Sequence, residues 1–114
     1  MTMIELTKEQ KKIARRLIDL GLERECEDFN NTIRRIACQQ IALKERANHS
    51  RYLEIYKATA KFDKHIADRY DGMSGSRYFM TVVNLYCEGI ITDEEIAELG
   101  KEAVGMIHSI KSLR

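Results

Sequence analysis

The stretch that decides the fold is residues 77–88, which reads RYFMTVVNLYCE. At 100° per residue, its apolar side chains point in nearly every direction around a helix axis. A helix that is apolar all round lies at the centre of a fold, because other elements must cover each of its faces. The sequence therefore predicts a central helix here, and the rest of the chain should pack around it.

Turn signals stand on both sides of this central segment. Before it, residues 71–76 read DGMSGS and form the only loop with strong turn chemistry. After it, Gly89 should end the helix, and Thr92 with Glu95 forms a capping box for a last helix. We expect that last helix to continue through Gly100 without a break. Its inner face would consist of Ile96, Leu99, Ala103, Ile107 and Ile110.

The N-terminal part of the chain predicts two further helices. The first begins at a capping box formed by Thr7 and Gln10, and Gly21 should close it in a left-handed conformation. The second is predicted over residues 23–47, where apolar residues recur at spacings of three and four.

A third helix is predicted after Asn48, on a stripe formed by Tyr52, Ile55, Tyr56, Thr59, Phe62, Ile66 and Tyr70. If the second helix simply continued, this stripe would lie about 90° around the axis from the preceding one, and one partner could not cover both. We therefore expect a turn near Asn48 and an antiparallel pair of long helices. One unbroken helix over residues 23–71, about 70 Å long, is the alternative.

Length and composition fit one globular domain. The 114 residues are 44% hydrophobic and 32% charged, which excludes the disordered class. With 19 basic and 18 acidic residues the net charge is +1, so no overall field attracts nucleic acid or a membrane. We expect a single domain over residues 1–114, an all-α bundle of four to five helices with a central apolar helix and a long antiparallel helix pair.

The sequence also carries expectations about location. Residues 1–6 lack the basic start and apolar block of a signal peptide, and no run approaches the roughly 18 apolar residues of a membrane span. Cys26, Cys38 and Cys87 fall within helical patterns and should be reduced thiols in or near the core. We expect a cytosolic protein without a membrane partner.

Asp63 falls within the apolar stripe of the third predicted helix. A carboxylate buried there is costly unless it is hydrogen-bonded, so we predict a buried Asp63 that accepts from Tyr56, Tyr70 or an arginine. A general base in a tyrosine-lined pocket is the alternative, but no nucleophile, second acid or metal can be placed beside it. Gln40, on the inner face of the second predicted helix, is open to the same two interpretations.

No metal or cofactor site is predicted. Di-iron helical bundles use a Glu-x-x-His motif, which this chain lacks. The histidines His49, His65 and His108 have no Cys or His neighbours at the spacing of zinc ligands.

The loop before the central helix is a candidate anion site. Ser74, Gly75, Ser76 and Arg77 offer backbone amides, two hydroxyls and a guanidinium that together could hold a phosphate or a carboxylate. The spacing is not that of a Walker loop. Ser76 as an ordinary N-cap explains the same residues, and we favour that interpretation.

Residues 88–100, which read EGIITDEEIAELG, are followed by Val104 and Ile107 and resemble the helix-turn-helix of sigma-factor region four. The resemblance covers about a quarter of the chain and implies a DNA-reading recognition helix. Gly100 comes one residue earlier than in that motif, and residues 101–103 supply no Ser or Thr cap. Because the apolar stripe runs through Gly100, we expect one continuous helix and no specific DNA binding.

These observations favour a non-catalytic protein-interaction or assembly module. Long apolar stripes in a chain too small to cover all of them predict a homodimer through the second and third predicted helices. The alternatives are a DNA-binding regulator, a small-anion binder at residues 72–77, and an enzyme built on Asp63 or on that loop.

Overall fold

The structure is a computed structural model and describes residues 4–40 and 46–114. These residues form helices and turns and contain no strand, so the predicted all-α fold is confirmed. The helices are α1 (Lys8–Cys38), α2 (Ala47–Tyr70), α3 (Gly75–Cys87), α4 (Asp93–Ile96) and α5 (Lys101–Ser112), with a 3₁₀ turn at Ala97–Leu99 between the last two.

The chain divides into two compact units. The first comprises Met1–Arg24 and Gly72–Arg114, and the second comprises Glu25–Asp71, so α1 contributes to both. The prediction that residues 1–114 form a single domain stays a prediction.

Helix α3 is the centre of the first unit. None of residues 77–87 is exposed, as expected of a helix that is apolar on all sides. The largest fully buried side chains of the described residues are Leu85, Ile96, Leu99, Ile107, Val82 and Val83, which come from α3, α4, α5 and the 3₁₀ turn. The core of this unit therefore forms where α3 meets the C-terminal helices.

Three predicted start and stop signals are found in the structure. Thr7 and Gln10 exchange the two hydrogen bonds of a capping box, at 2.9 and 3.1 Å, and Thr92 and Glu95 do the same at 2.9 and 3.2 Å. Gly89 follows α3 with a φ of +77°, which allows the next amide, that of Ile90, to donate to the Leu85 carbonyl at 2.9 Å. Each signal acts within a few residues, so tertiary packing does not override it.

Gly21 does not close the first helix, and this prediction was wrong. Helix α1, which is 31 residues long, continues through Gly21 to Cys38, and Gly21 is buried. A Cβ atom at position 21 would meet the Leu85 side chain at 2.7 Å. Glycine is thus present at this position because α3 approaches α1 closely, and not because the helix ends.

The last predicted helix is broken at Gly100, so the expectation of a continuous helix was also wrong. Gly100 has φ +94° and ψ 163°, a conformation that only glycine adopts readily. Leu99, which precedes Gly100, and Ala103, which follows it, are both buried. The apolar spacing is therefore compatible with a break, because the 3₁₀ turn and the glycine keep both side chains in the core.

The second unit is an antiparallel helical hairpin. Phe29 and Phe62 stack with ring centroids 4.2 Å apart, and Arg51 donates to the Ala37 carbonyl at 3.1 Å. Later residues of α1 thus contact earlier residues of α2, as in an antiparallel pair. Helix α1 ends at Cys38 and α2 begins at Ala47, so the unbroken-helix alternative is wrong and the predicted antiparallel pair is present. Asn48 itself lies within α2, which begins directly after Arg46, a residue in the left-handed conformation; residues 41–45 lie outside the described residues.

The hairpin has no buried side chain among its described residues. Residues 25–40 and 46–71 are all exposed or half-buried, including Ile33, Ile55, Phe62 and Ile66. Two helices in contact cover only one stripe of each other, and the remaining directions stay open.

Candidate protein-interaction surface

One face of α2 carries an exposed row of residues that we name the tyrosine face: Tyr52, Tyr56, Thr59 and Asp63. Spacings of four, three and four residues place them on one side of the helix. The two tyrosines are 59% and 61% exposed, and their ring centroids lie 6.4 Å apart. The ring of His49 lies 6.3 Å from that of Tyr52 and extends the row. Tyrosine is enriched at protein interfaces relative to the rest of the surface, so this row is a candidate interaction site.

Asp63 and Tyr56 were predicted to be buried, and the structure corrects both. Helix α1 contacts α2 through residues such as Phe62 and Arg69. Asp63 follows Phe62 by one residue and so lies about 100° further around the helix, on the exposed side. The facing helix covers only part of the predicted stripe, so Ile55, Phe62, Ile66 and Tyr70 are half-buried while Tyr52, Tyr56 and Thr59 are exposed.

Gln40 is also exposed rather than buried. Helix α1 ends at Cys38, so Gln40 lies beyond the helix and not on its inner face. Its predicted place depended on a second helix that extended to residue 47.

Charge is distributed unevenly along the hairpin. We call residues 34–40 and 46–57 the tip, and residues 25–33 and 58–71 the base. The tip has five basic residues and one acidic residue, a net charge of +4, from Arg34, Arg35, Arg46, Arg51, Lys57 and Glu54. The base has six acidic residues and three basic ones, a net charge of −3, from Glu25, Glu27, Asp28, Asp63, Asp68, Asp71, Lys61, Lys64 and Arg69. The tyrosines of the tyrosine face thus lie in the basic half, and Asp63 lies in the acidic half.

The chain has no significant match among protein-family models, curated proteins or solved structures.

The base of the hairpin is held together by Glu25, whose side chain is only 10% exposed. Its Oε1 atom lies 2.5 Å from Nη1 of Arg69 and 3.1 Å from Nε2 of His65, and its Oε2 accepts from the Tyr70 hydroxyl at 2.9 Å. Burial and the hydrogen bond to Glu25 raise the pKa of Tyr70 above its ordinary value. With both oxygens occupied, Glu25 joins α1 to α2.

Tyr70 was predicted to lie beside the carboxylate of Asp63, and in the structure the carboxylate beside it is that of Glu25. Tyr70 is half-buried, and its acceptor comes from the facing helix. The signal that identifies this acceptor is the antiparallel pairing at Phe29 and Phe62, which puts Glu25, one turn earlier on α1, beside the end of α2.

Helix α3 begins two residues earlier than an N-cap at Ser76 would require. Helix α3 starts at Gly75, and Ser74 occupies the N-cap position without a side-chain capping bond. The Ser74 and Ser76 hydroxyls lie 3.0 Å apart. The Lys11 ammonium lies 3.4 Å from the place of a Cβ on Gly75. Ser76 as N-cap was therefore wrong, and anion binding with Arg77 stays a prediction.

The C-terminal helices are joined by polar contacts as well as by their core. The guanidinium of Arg24 binds both oxygens of Glu95 at 2.7 Å and donates to the Ile90 carbonyl at 2.8 Å. Asp93 accepts from the Tyr86 hydroxyl at 2.7 Å, and its Oδ1 lies 2.8 Å from Nε2 of His108. The Tyr86 and His108 contacts lower the pKa of Asp93.

The break at Gly100 removes one of the two objections to the helix-turn-helix alternative. A separate α5 now follows a short helical segment, Asp93–Leu99, of which the last three residues are a 3₁₀ turn. The objection based on a continuous helix is removed, while the missing cap at the start of α5 remains, because Gly100 has no side chain to supply one. DNA binding stays a hypothesis.

Residues 4–40 and 46–114 contain neither a cluster of candidate metal ligands nor a membrane-spanning helix. No group of three or more His, Cys, Asp or Glu side chains there is placed to hold a metal ion. No helix in this part of the chain has the length and hydropathy to cross a membrane.

Proposed function

We propose that this chain is a non-catalytic assembly module that forms a homodimer through the hairpin of its second unit. The observation that carries the proposal is that none of the described hairpin residues is buried. Even the large aromatic side chains of Tyr52 and Tyr56 lie side by side exposed to solvent. Helices in proteins are stabilised mainly by packing of an apolar face, and a hairpin alone provides little of it. A second hairpin placed on the first would complete a four-helix arrangement.

The residue types on this surface support the same conclusion. Tyrosine is enriched at interfaces, where a large ring is buried and the hydroxyl still finds a partner. The polar clusters around Glu25 and Asp93 engage neighbouring protein groups and join helices to each other. Such clusters suit a scaffold that presents a surface.

Light scattering coupled to size exclusion tests the proposal. At high micromolar concentration the full chain should have twice its 13.3 kDa mass. Replacing both tyrosines, Tyr52→Ser with Tyr56→Ser, should weaken association about a thousandfold, at roughly 1 kcal/mol for each of the four tyrosines that the symmetric dimer loses. The matched control replaces Glu54 and Lys61, an exposed pair of opposite charge on the other side of α2, with serine and should leave the dimer intact.

A monomer mass for the unmodified chain at several hundred micromolar would contradict the proposal. So would equal loss of association in the tyrosine variant and in the control variant, since association would then not depend on the tyrosine face.

A further inference from the structure

The tyrosine face carries hydrogen-bond donors at one end, the hydroxyls of Tyr52 and Tyr56, and a carboxylate acceptor, Asp63, at the other end. Tyr52 and Asp63 are 11 residues apart, about 16 Å along the helix, and Tyr56 and Thr59 lie between them. Within one chain, Tyr56 and Asp63 are seven residues apart, about 10 Å along the helix, and helical side chains lean towards the N-terminus, which takes the Tyr56 hydroxyl away from Asp63. The donor half and the acceptor half of this face therefore cannot pair with each other in one copy.

In a second copy that runs in the opposite direction they can pair. A two-fold axis at the level between residues 57 and 58 places Tyr52 of one copy opposite Asp63 of the other, and Tyr56 opposite Thr59. A dimer with two-fold symmetry uses the same patch on both copies, so every such contact occurs twice. We propose, on the basis of the self-association proposed above, that the second copy packs antiparallel on the tyrosine face, with each Asp63 accepting a hydrogen bond from a tyrosine of the other copy.

The charge distribution favours the same orientation. In the antiparallel arrangement the tip, with a net charge of +4, lies beside the base of the other copy, with a net charge of −3. A parallel arrangement would put tip beside tip and base beside base, and like charges in contact cost free energy and slow the encounter. Long-range charge and local hydrogen bonding thus select one orientation.

This inference also explains why a carboxylate lies within an apolar stripe. Asp63 is exposed in the single chain, where water solvates it at no cost. In the dimer its oxygens would accept from hydroxyls that lose their own water, and a hydrogen bond to an ionised acceptor is stronger than one between neutral groups. Asp63 then contributes to the orientation of the partner and not to the stability of the fold.

Distances between spin labels measure the orientation directly. The free cysteines Cys26, Cys38 and Cys87 are first replaced. Ser50→Cys and Lys64→Cys then provide one labelling site in the tip and one in the base, both outside the tyrosine face. The antiparallel dimer predicts a shorter distance from residue 50 of one copy to residue 64 of the other than between two like labels, which are offset by about 20 Å along the helices.

The outcomes separate this inference from the proposed function. Dipolar coupling with like labels nearer than unlike ones keeps the homodimer and overturns the antiparallel orientation. A complete lack of coupling between chains at high micromolar concentration overturns the homodimer itself.

A second variant tests the role of Asp63 with the native cysteines in place. Asp63→Ala should weaken dimerisation about 100-fold, because the symmetric dimer loses two hydrogen bonds to a charged acceptor. Its monomer should unfold at the same temperature as the unmodified monomer, since Asp63 is exposed there. The control Glu54→Ala removes an exposed carboxylate from another face of α2 and should change dimerisation less than about threefold. Equal effects of the two substitutions overturn the assignment of Asp63.

Discussion

Gly21 of α1 and Leu85 of α3 are in such close contact that a Cβ atom on residue 21 would lie 2.7 Å from the Leu85 Cδ1 atom. Leu85 is fully buried, so its side chain has little room to move away. We predict that Gly21→Ala destabilises the chain by about 1–3 kcal/mol through overpacking, although alanine is the better helix former. Urea unfolding followed by circular dichroism measures the change.

Gly105→Ala is the matched control for this substitution. Gly105 lies within α5, and nothing stands within 4 Å of the place of its Cβ. The Gly105→Ala variant should be more stable than the unmodified chain by up to about 1 kcal/mol, from helix propensity alone. A Gly21→Ala variant that gains as much would contradict the close contact with α3.

Gly100→Ala tests the helix break, because a broken helix and a continuous helix predict changes of opposite sign in the free energy of unfolding. With φ at +94° the residue occupies a region that side chains disfavour, so Gly100→Ala should cost about 1–3 kcal/mol. If α4 and α5 were one continuous helix, the same substitution would stabilise it by up to about 1 kcal/mol. Chemical unfolding of the variant at neutral pH decides between them.

The ion pair of Arg24 and Glu95 predicts a pH dependence of stability. The hydrogen bonds from Arg24, helped by those from Thr92, lower the pKa of Glu95 from 4.5 to about 2. A pKa that is lower in the folded state gives stability that is fully present above about pH 4.5 and is lost as the pH falls towards 2. Glu95→Gln should therefore cost about 1–2 kcal/mol at pH 7, and the difference from the unmodified chain should shrink at pH 2.5.

The glutamine variant isolates the charge, because glutamine also serves in a capping box. Glu94→Gln, at the exposed neighbouring position, is the control and should change unfolding little at either pH. A constant cost of Glu95→Gln from pH 7 to pH 2.5 would show that the carboxylate charge is not what stabilises this contact.

Tyr70 predicts an effect at alkaline pH. Its pKa is raised by burial and by the hydrogen bond to Glu25, so its stabilising effect is present at neutral pH and is lost as the pH rises above the unfolded value of about 10. Tyr70→Phe should cost about 1–2 kcal/mol at pH 7, because Glu25 loses a donor in a half-buried setting. It should also remove the last step of the tyrosine absorbance titration.

Tyr78→Phe, at another half-buried tyrosine, is the control for the unfolding measurement. If the last step of the absorbance titration remains in Tyr70→Phe, the cluster around Glu25 does not protect Tyr70 as described.

Features that depend on neighbouring residues could be predicted from the sequence, and features that depend on distant partners could not. The capping box of Thr92 and Glu95 and the terminating Gly89 involve contacts within five residues, and both are present. Gly21 and Gly100 look alike in sequence, yet one lies inside a helix and the other between helices. What distinguishes them is the nearby Leu85 side chain in one case and a 3₁₀ turn in the other.

The sequence predicted which residues share the candidate surface but not that they are exposed. Periodicity placed Tyr52, Tyr56 and Asp63 on a common stripe of one helix. It could not reveal that the facing helix covers only the edge of that stripe near Phe62, since the number of partners a helix has is a tertiary property. The buried acceptor Glu25 was missed for the same reason.

The central claim, that the hairpin is the surface through which two copies associate, is tested most directly by amide hydrogen exchange at two protein concentrations. Raising the concentration from about 1 to several hundred micromolar should slow exchange in peptides from residues 47–66, because dimerisation suppresses local opening of α2. Exchange in α5 should not change. Identical exchange at both concentrations throughout the chain, or a slowing confined to α3 and α5, would contradict the claim.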